Sequence, residues 1–173
     1  AGGAGGGGAA DAPGSGGVGG SAGQAGTGGG GGAAFYPTGG PYGYRGGSGI
    51  VVVRYQIGSS QSGSAKATGG SISYFGGKTI HTFTNSGDFN VTTGPLSVEY
   101  LVVGGGGGGA GAAGGGGAGA YRTATGLTVN PGPNSVVIAA GGGGSNNQTI
   151  ASTPGGDSSF TASSAITSNG GGG

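Results

Sequence analysis

Cysteine, methionine and tryptophan are all absent from this 173-residue chain, and only 5% of its residues carry a charge. Without cysteine there is no disulfide framework and no thiolate metal site, and the redox compartment stays open. The absence of methionine leads us to expect a processed end or the start of a fragment at residue 1. The scarcity of charge weighs against a solvated disordered chain, since such chains combine low hydrophobicity with high net charge, whereas here the formal net charge is +1. A chain of this kind should fold or aggregate. One histidine, His81, and four carboxylates, Asp11, Asp88, Glu99 and Asp157, are too few and too scattered for a metal cluster or a catalytic triad. We therefore expect no enzyme, no metal and no cofactor. Long hydrophobic runs are also missing. The longest aliphatic stretches, Ile50 to Val53 and Val136 to Ala140, are far too short to span a bilayer, and no basic region followed by an apolar run opens the chain.

What the chain has in excess is glycine, 56 residues against 7 prolines. That proportion approaches collagen, but no strict three-residue period accompanies it. Each ordered glycine costs roughly 0.5–1 kcal/mol more than alanine, so ordered glycine runs need dense backbone hydrogen bonding, weak Cα–H contacts or contacts to neighbouring subunits. The organising stretch is Ser97 to Ala120, where the apolar strand S-V-E-Y-L-V-V passes straight into the run Gly104 to Gly109. Six glycines offer only bare backbone. Ordered, they can pack main chain against main chain as extended helices with three residues per turn, resembling polyproline II. The expected fold is all-β, with sandwich-like strands framing a polyglycine II-like region and with no helices.

Read in order, Ala1 to Ala34 is almost wholly Gly, Ala, Ser and Thr, and Phe35 to Tyr44 is an aromatic loop rich in turn residues. Gly49 to Ile57, G-I-V-V-V-R-Y-Q-I, carries the strongest β signal because β-branched residues dominate it. Residues 58–70 are small and polar and read as a flexible linker. Strands are then expected at Ser71 to Phe75 and Lys78 to Asn85, separated by Gly76-Gly77 at the spacing of a tight hairpin. Further strands are expected around Phe89 and Val91, at Val98 to Val103, at Tyr121 to Val129 and at Ser135 to Ala140, with a turn at Asn130-Pro131-Gly132-Pro133. Beyond Ala140 the chain reads as glycine-rich again. The C-terminus, Ser168-Asn169-Gly170 to Gly173, leads smoothly into the N-terminus, Ala1 to Gly5, and the one linker-like break lies mid-chain. Residues 1–57 are thus expected to finish one glycine-rich unit and 71–173 to begin the next, as one period of a tandem array; the plainer alternative is one domain cut from a longer protein.

Chemical motifs dissolve on inspection. Gly14, Gly16 and Gly19 satisfy GxGxxG, but no strand precedes them and no helix follows. Gly77-Lys78-Thr79 resembles the end of a phosphate-binding loop, yet Ile72 stands where the earlier glycine is required. His81 is expected on a strand face. Arg45-Gly46-Gly47 is a single RGG copy, and five basic against four acidic residues supply little field for nucleic acid. Asn90-Val91-Thr92 and Asn147-Gln148-Thr149 match glycosylation sequons that an Asn- and Thr-rich chain produces incidentally. The group best suited to contact a partner such as a cell-surface glycan is Phe35, Tyr36, Tyr42 and Tyr44, whose ring faces could stack on apolar faces of a ligand. The plainer expectation is that these rings cover the end of the glycine bundle.

Three blocks carry a family resemblance: T-I-H-T-F-T-N-S-G-D-F-N-V at 79–91, S-V-E-Y-L-V-V-G-G-G-G-G-G at 97–109, and G-G-S-G-I-V-V-V-R-Y at 46–55. Together they resemble the glycine-rich β domains of phage tail fibres and related virion or bacterial surface proteins. In that family the I-V-V-V-R-Y block closes a domain that the T-F-T block opens, whereas here it comes first, in keeping with a permuted frame. The resemblance implies a fibre or adhesin role outside the cell. Two function classes follow: a non-enzymatic fibre unit that self-associates with identical copies through strand pairing and glycine-backbone packing, or a receptor-binding tip that recognises a surface glycan. No nucleic acid and no membrane span are expected in either.

Overall fold

A computed structural model describes residues 5–12, 19–34, 43–57, 65–111, 114–145 and 150–173. Its strands, in chain order, are β1 (Ile50–Gln56), β2 (Ala67–Thr68), β3 (Ser71–Phe75), β4 (Lys78–Phe83), β5 (Gly87–Val91), β6 (Leu96–Val103), β7 (Tyr121–Val129), β8 (Gly132–Val137), β9 (Ser158–Thr161) and β10 (Ala165–Ser168). There is no helix among the described residues. The strands form two antiparallel sheets of five, ordered β3-β4-β1-β6-β7 and β10-β9-β8-β5-β2. Alternation sets the inner faces: Val51, Val53 and Tyr55 of β1 are buried while Arg54 and Gln56 face water. Those residues, with Phe83, Val98 and Val102, meet Phe89, Val91, Val136 and Phe160 of the opposite sheet in one core. The all-β, sandwich-like architecture is the expected one.

Local chemistry explains where the strands turn. Gly76 and Gly77 join β3 to β4 with φ of 57° and 72°, the two positive values that a two-residue hairpin turn requires. A Cβ at Gly76 would meet nothing within 4 Å, so the dihedral, not space, selects glycine there. β8 departs from expectation: it begins at Gly132 rather than Ser135 and ends at Val137, because its register with β5 extends to Val91↔Gly132. Pro133 stands beyond the part of β8 that pairs with β9. β9 and β10 were not anticipated. They are short and polar, yet Phe160 is wholly buried. Residues 58–64 lie outside the described residues, but the end of that linker-like stretch is built in: β2 pairs with β5 and Ala67 is fully buried.

β1 lies between β4 and β6, so stretches 1–57 and 71–173 meet in one sheet. They also meet beyond it, because six strands continue directly into extended glycine-rich segments. β6 runs on into 104–110, β8 into 138–145 and β10 into 169–173, while 43–49, 114–120 and 153–157 lead into β1, β7 and β9. Side chains hold packed sheets about 10 Å apart. Where the side chains end, the layers collapse to backbone contact.

Segment 104–110 is the axis of that bundle, and its bonds rotate with a period of three residues. Gly104, Gly107 and Ala110 donate to Ala120, Gly117 and Gly114; Gly105 and Gly108 to Gly156 and Thr153; Gly106 and Gly109 to Gly47 and Tyr44, all at 2.8–3.0 Å. Its carbonyls accept from three other segments: Gly107 from Gly31, Gly106 from Gly142, and Gly105 from Gly171. Around the axis the neighbours bond to each other in turn. Gly116 donates to Gly31, Tyr44 to Gly32, Gly46 to Gly142, Thr153 to Gly143, Gly155 to Gly171 and Gly117 to Gly172, which closes a hexagon. This is polyglycine II-like packing. A Cβ at any of Gly104 to Gly109 would lie 1.9–2.2 Å from a neighbour's carbonyl oxygen, so close approach is the reason the run is glycine.

Candidate assembly surfaces

The aromatic group named from the sequence is described only at Tyr44; Phe35, Tyr36 and Tyr42 lie outside the described residues. Tyr44 is half-buried on the flank of the bundle. Its hydroxyl donates to Asp11 Oδ1 at 3.4 Å, its amide to Gly32 at 3.1 Å, and its carbonyl accepts from Gly109. The Gly20 amide also donates to Asp11 Oδ1, and a Cβ at Gly20 would strike the Tyr44 ring. Burial, followed by the Asp11 charge, raises the Tyr44 pKa, so the phenol stays protonated and serves as a donor across ordinary pH. Tyr44 therefore clasps segments 5–11, 19–24 and 43–48 together.

The remaining sequence motifs find structural places. Gly77-Lys78-Thr79 is the hairpin turn and first residues of β4, and the Lys78 ammonium is bonded to Glu99. Glu99 stands at the irregularity between Val98 and Tyr100 where β6 shifts register against β7. Arg54 reaches the same carboxylate at 2.6 Å. The Lys78 bond, then the Arg54 bond, holds the Glu99 carboxyl below the usual range. A shallow furrow on this outer face is lined by Val52, Arg54, Glu99, Tyr100, Leu101 and Thr123 among others. No group of three or more His, Asp or Glu side chains fit to hold a metal occurs among the described residues. Nor does any helix there have the length and apolarity to cross a membrane.

His81 is fully buried in the core. Its Nδ1–H donates to the Gly69 carbonyl at 2.7 Å, and the Tyr55 hydroxyl, 3.3 Å away, donates to Nε2. Its ring stacks on Tyr55 at 5.6 Å and meets Phe89 edge-on at 5.0 Å. Burial lowers its pKa from 6.5, against a smaller opposing effect of the Gly69 bond. The folded protein thus resists a proton that the unfolded chain accepts near 6.5. Stability from this site is complete above pH 6.5 and falls as pH drops below it, by at most about 1.4 kcal/mol per pH unit. Since His81 is the only histidine, urea unfolding at pH 7.5 and 5.5 should show this loss in the natural chain. In His81→Gln the two curves should nearly coincide.

The surfaces that sequence reading missed are the two ends of the first sheet. β3 is exposed at all five positions and among the described residues pairs only with β4. It carries no charge, and Tyr74 and Phe75 are 59% and 81% exposed. At the other end β7 is exposed over Tyr121 to Gly126 and among the described residues pairs only with β6, with Tyr121 70% exposed. The sequence held a signal for this: S-I-S-Y-F lacks the charged residues with which monomeric proteins blunt an edge strand. A family model described as a glycine-rich domain matches residues 82–173. No curated protein and no solved structure matches the chain.

Proposed function

Because the chain belongs to the glycine-rich domain family, we propose that it is a non-enzymatic structural subunit of an extracellular filament or virion fibre, held together by strand pairing and packing of glycine backbone. The observation that carries this reading is the pair of exposed strands, β3 without a charge and β7 with Arg122 as its one charged residue, at opposite ends of one sheet. Free backbone N–H and C=O groups on such edges recruit another extended chain. Pairing of the β3 edge of one copy with the β7 edge of the next is a head-to-tail contact, and repeated it gives an open filament. The reading puts the assembly outside a cell, on a secreted filament or a virion surface such as a tail fibre. A second reading, a receptor-binding domain for a surface glycan, draws on the exposed rings of Tyr74, Phe75 and Tyr121, since aromatic faces stack on apolar sugar faces.

Electron microscopy and sedimentation separate the two. Tyr74→Lys with Phe75→Lys charges the β3 edge without touching the core, where surface changes are worth about 0.5 kcal/mol or less. The natural chain should form filaments and the double variant should stay dispersed with an unchanged melting temperature. Equal filaments from both would overturn edge pairing. A natural chain that stays monomeric yet binds glycan-bearing cells would favour the second reading.

A further inference from the structure

Among the described residues, hexagonal packing leaves one position open beside segment 28–34. That segment donates from Gly31 to Gly107 at 2.9 Å and from Gly32 to Ser21 at 3.1 Å. It accepts from Gly116 and Gly119, from Tyr44 and Gly47, and from Gly8 and Asp11. Those bonds account for segments 104–110, 19–24, 114–120, 43–48 and 5–11. In a three-residue helix successive amides point about 120° apart, so the third donor direction belongs to Gly30. Gly30 is buried, and its amide donates to no acceptor among the described residues. Where the sixth neighbour would lie there is instead a groove between 5–8 and 114–118, lined by Gly7, Gly8, Gly30, Gly31, Gly115 and Gly116 among others.

We propose that this vacant lattice position receives a glycine segment from a second copy of the chain, namely its 114–120. The described lining of the groove carries no charge and, apart from the Ala118 methyl, no side chain, so the chemistry it recognises is an extended backbone without Cβ atoms. The chain supplies that element at the groove's own rim. Gly114, Gly115 and Gly117 are exposed, and a Cβ at Gly114 would meet nothing within 4 Å. Because rim and groove are adjacent, a two-fold axis between them lets each copy's 114–120 enter the other's groove, an isologous contact. A buried amide without an acceptor is costly, and a carbonyl delivered to Gly30 removes that cost. The contact runs sideways to the sheet edges, so it joins filaments or subunits in pairs. It rests on the self-assembly reading and names a second interface within it.

The test uses the full chain carrying Tyr74→Lys and Phe75→Lys, which removes edge pairing. To it are added Gly5→Leu and Ala118→Leu, which fill the groove where a side chain has room: a Cβ at Gly5 meets nothing within 4 Å and Ala118 is exposed. The edge-blocked chain should sediment as a dimer, with slowed exchange of the Gly30 amide relative to dilute protein. The groove-filled chain should sediment as a monomer with the same melting temperature. An edge-blocked chain that is already monomeric, or a dimer that persists after groove filling, overturns the proposal. If the natural chain still forms filaments in that case, the self-assembly reading survives and only the groove contact falls. If the natural chain is monomeric too, both fail.

Discussion

Gly108→Ala should melt far below the natural chain, while Gly114→Ala should fold and melt at or slightly above it. A methyl at Gly108 would sit 1.9 Å from the Gly143 carbonyl oxygen and 2.3 Å from its carbon. No side chain can move aside there. Segment 139–145 must shift, and it is held on both sides: Gly143 bonds Thr153 through its amide and carbonyl, and Gly142 donates to Gly106. Ordinary overpacking costs about 1–3 kcal/mol, and each backbone bond lost adds about 1 kcal/mol. The sum is a large part of the roughly 5–15 kcal/mol that holds a domain folded. At Gly114 the added methyl meets open space, and restricting the unfolded chain gains about 0.4–1 kcal/mol. Scanning calorimetry on the two variants would show opposite shifts, with a fall on the order of 10 °C or more for Gly108→Ala.

The second large effect lies in the side-chain core. Phe160 is fully buried and meets Phe89 edge-to-face at 6.0 Å. It links the chain of rings from Tyr55 through His81 and Phe89 into β9. Phe160→Ala should cost about 3–5 kcal/mol, read as a lower urea midpoint with an unchanged slope. Phe75→Ala removes the same ring from an exposed edge and should change stability by about 0.5 kcal/mol or less, while weakening assembly.

These contrasts also explain what the sequence made legible. I-V-V-V-R-Y, Y-R-T-A-T-G-L-T-V and the Gly76-Gly77 hairpin declared themselves, because β-branched alternation and a two-glycine turn are local signals. S-S-F-T and A-I-T-S did not, because their burial depends on partners: β9 is a strand through its pairing with β8 and β10. Likewise Ala67 and Gly69 looked like linker residues until Tyr55 and His81 supplied their hydrogen-bond partners. The glycine lattice was legible only as a possibility of packing. A run of glycines carries no side-chain pattern to say which run lies beside which, and the hexagon is set by the strands that feed it. The candidate surfaces follow the same rule. Tyr44 was visible as an aromatic, but its clasp on Asp11 and the bare edges of β3 and β7 are properties of the assembled sheets.

The glycine bundle is an ordered, hydrogen-bonded body continuous with the sandwich. Amide hydrogen exchange resolved at Gly104 to Gly109 tests this most directly. Every one of these amides donates to a neighbouring segment, so they should exchange as slowly as those of Val102 and Val53 in the sheet, through global unfolding. Exchange of Gly104 to Gly109 at the rate of an unstructured peptide, while β6 remains protected, would contradict it.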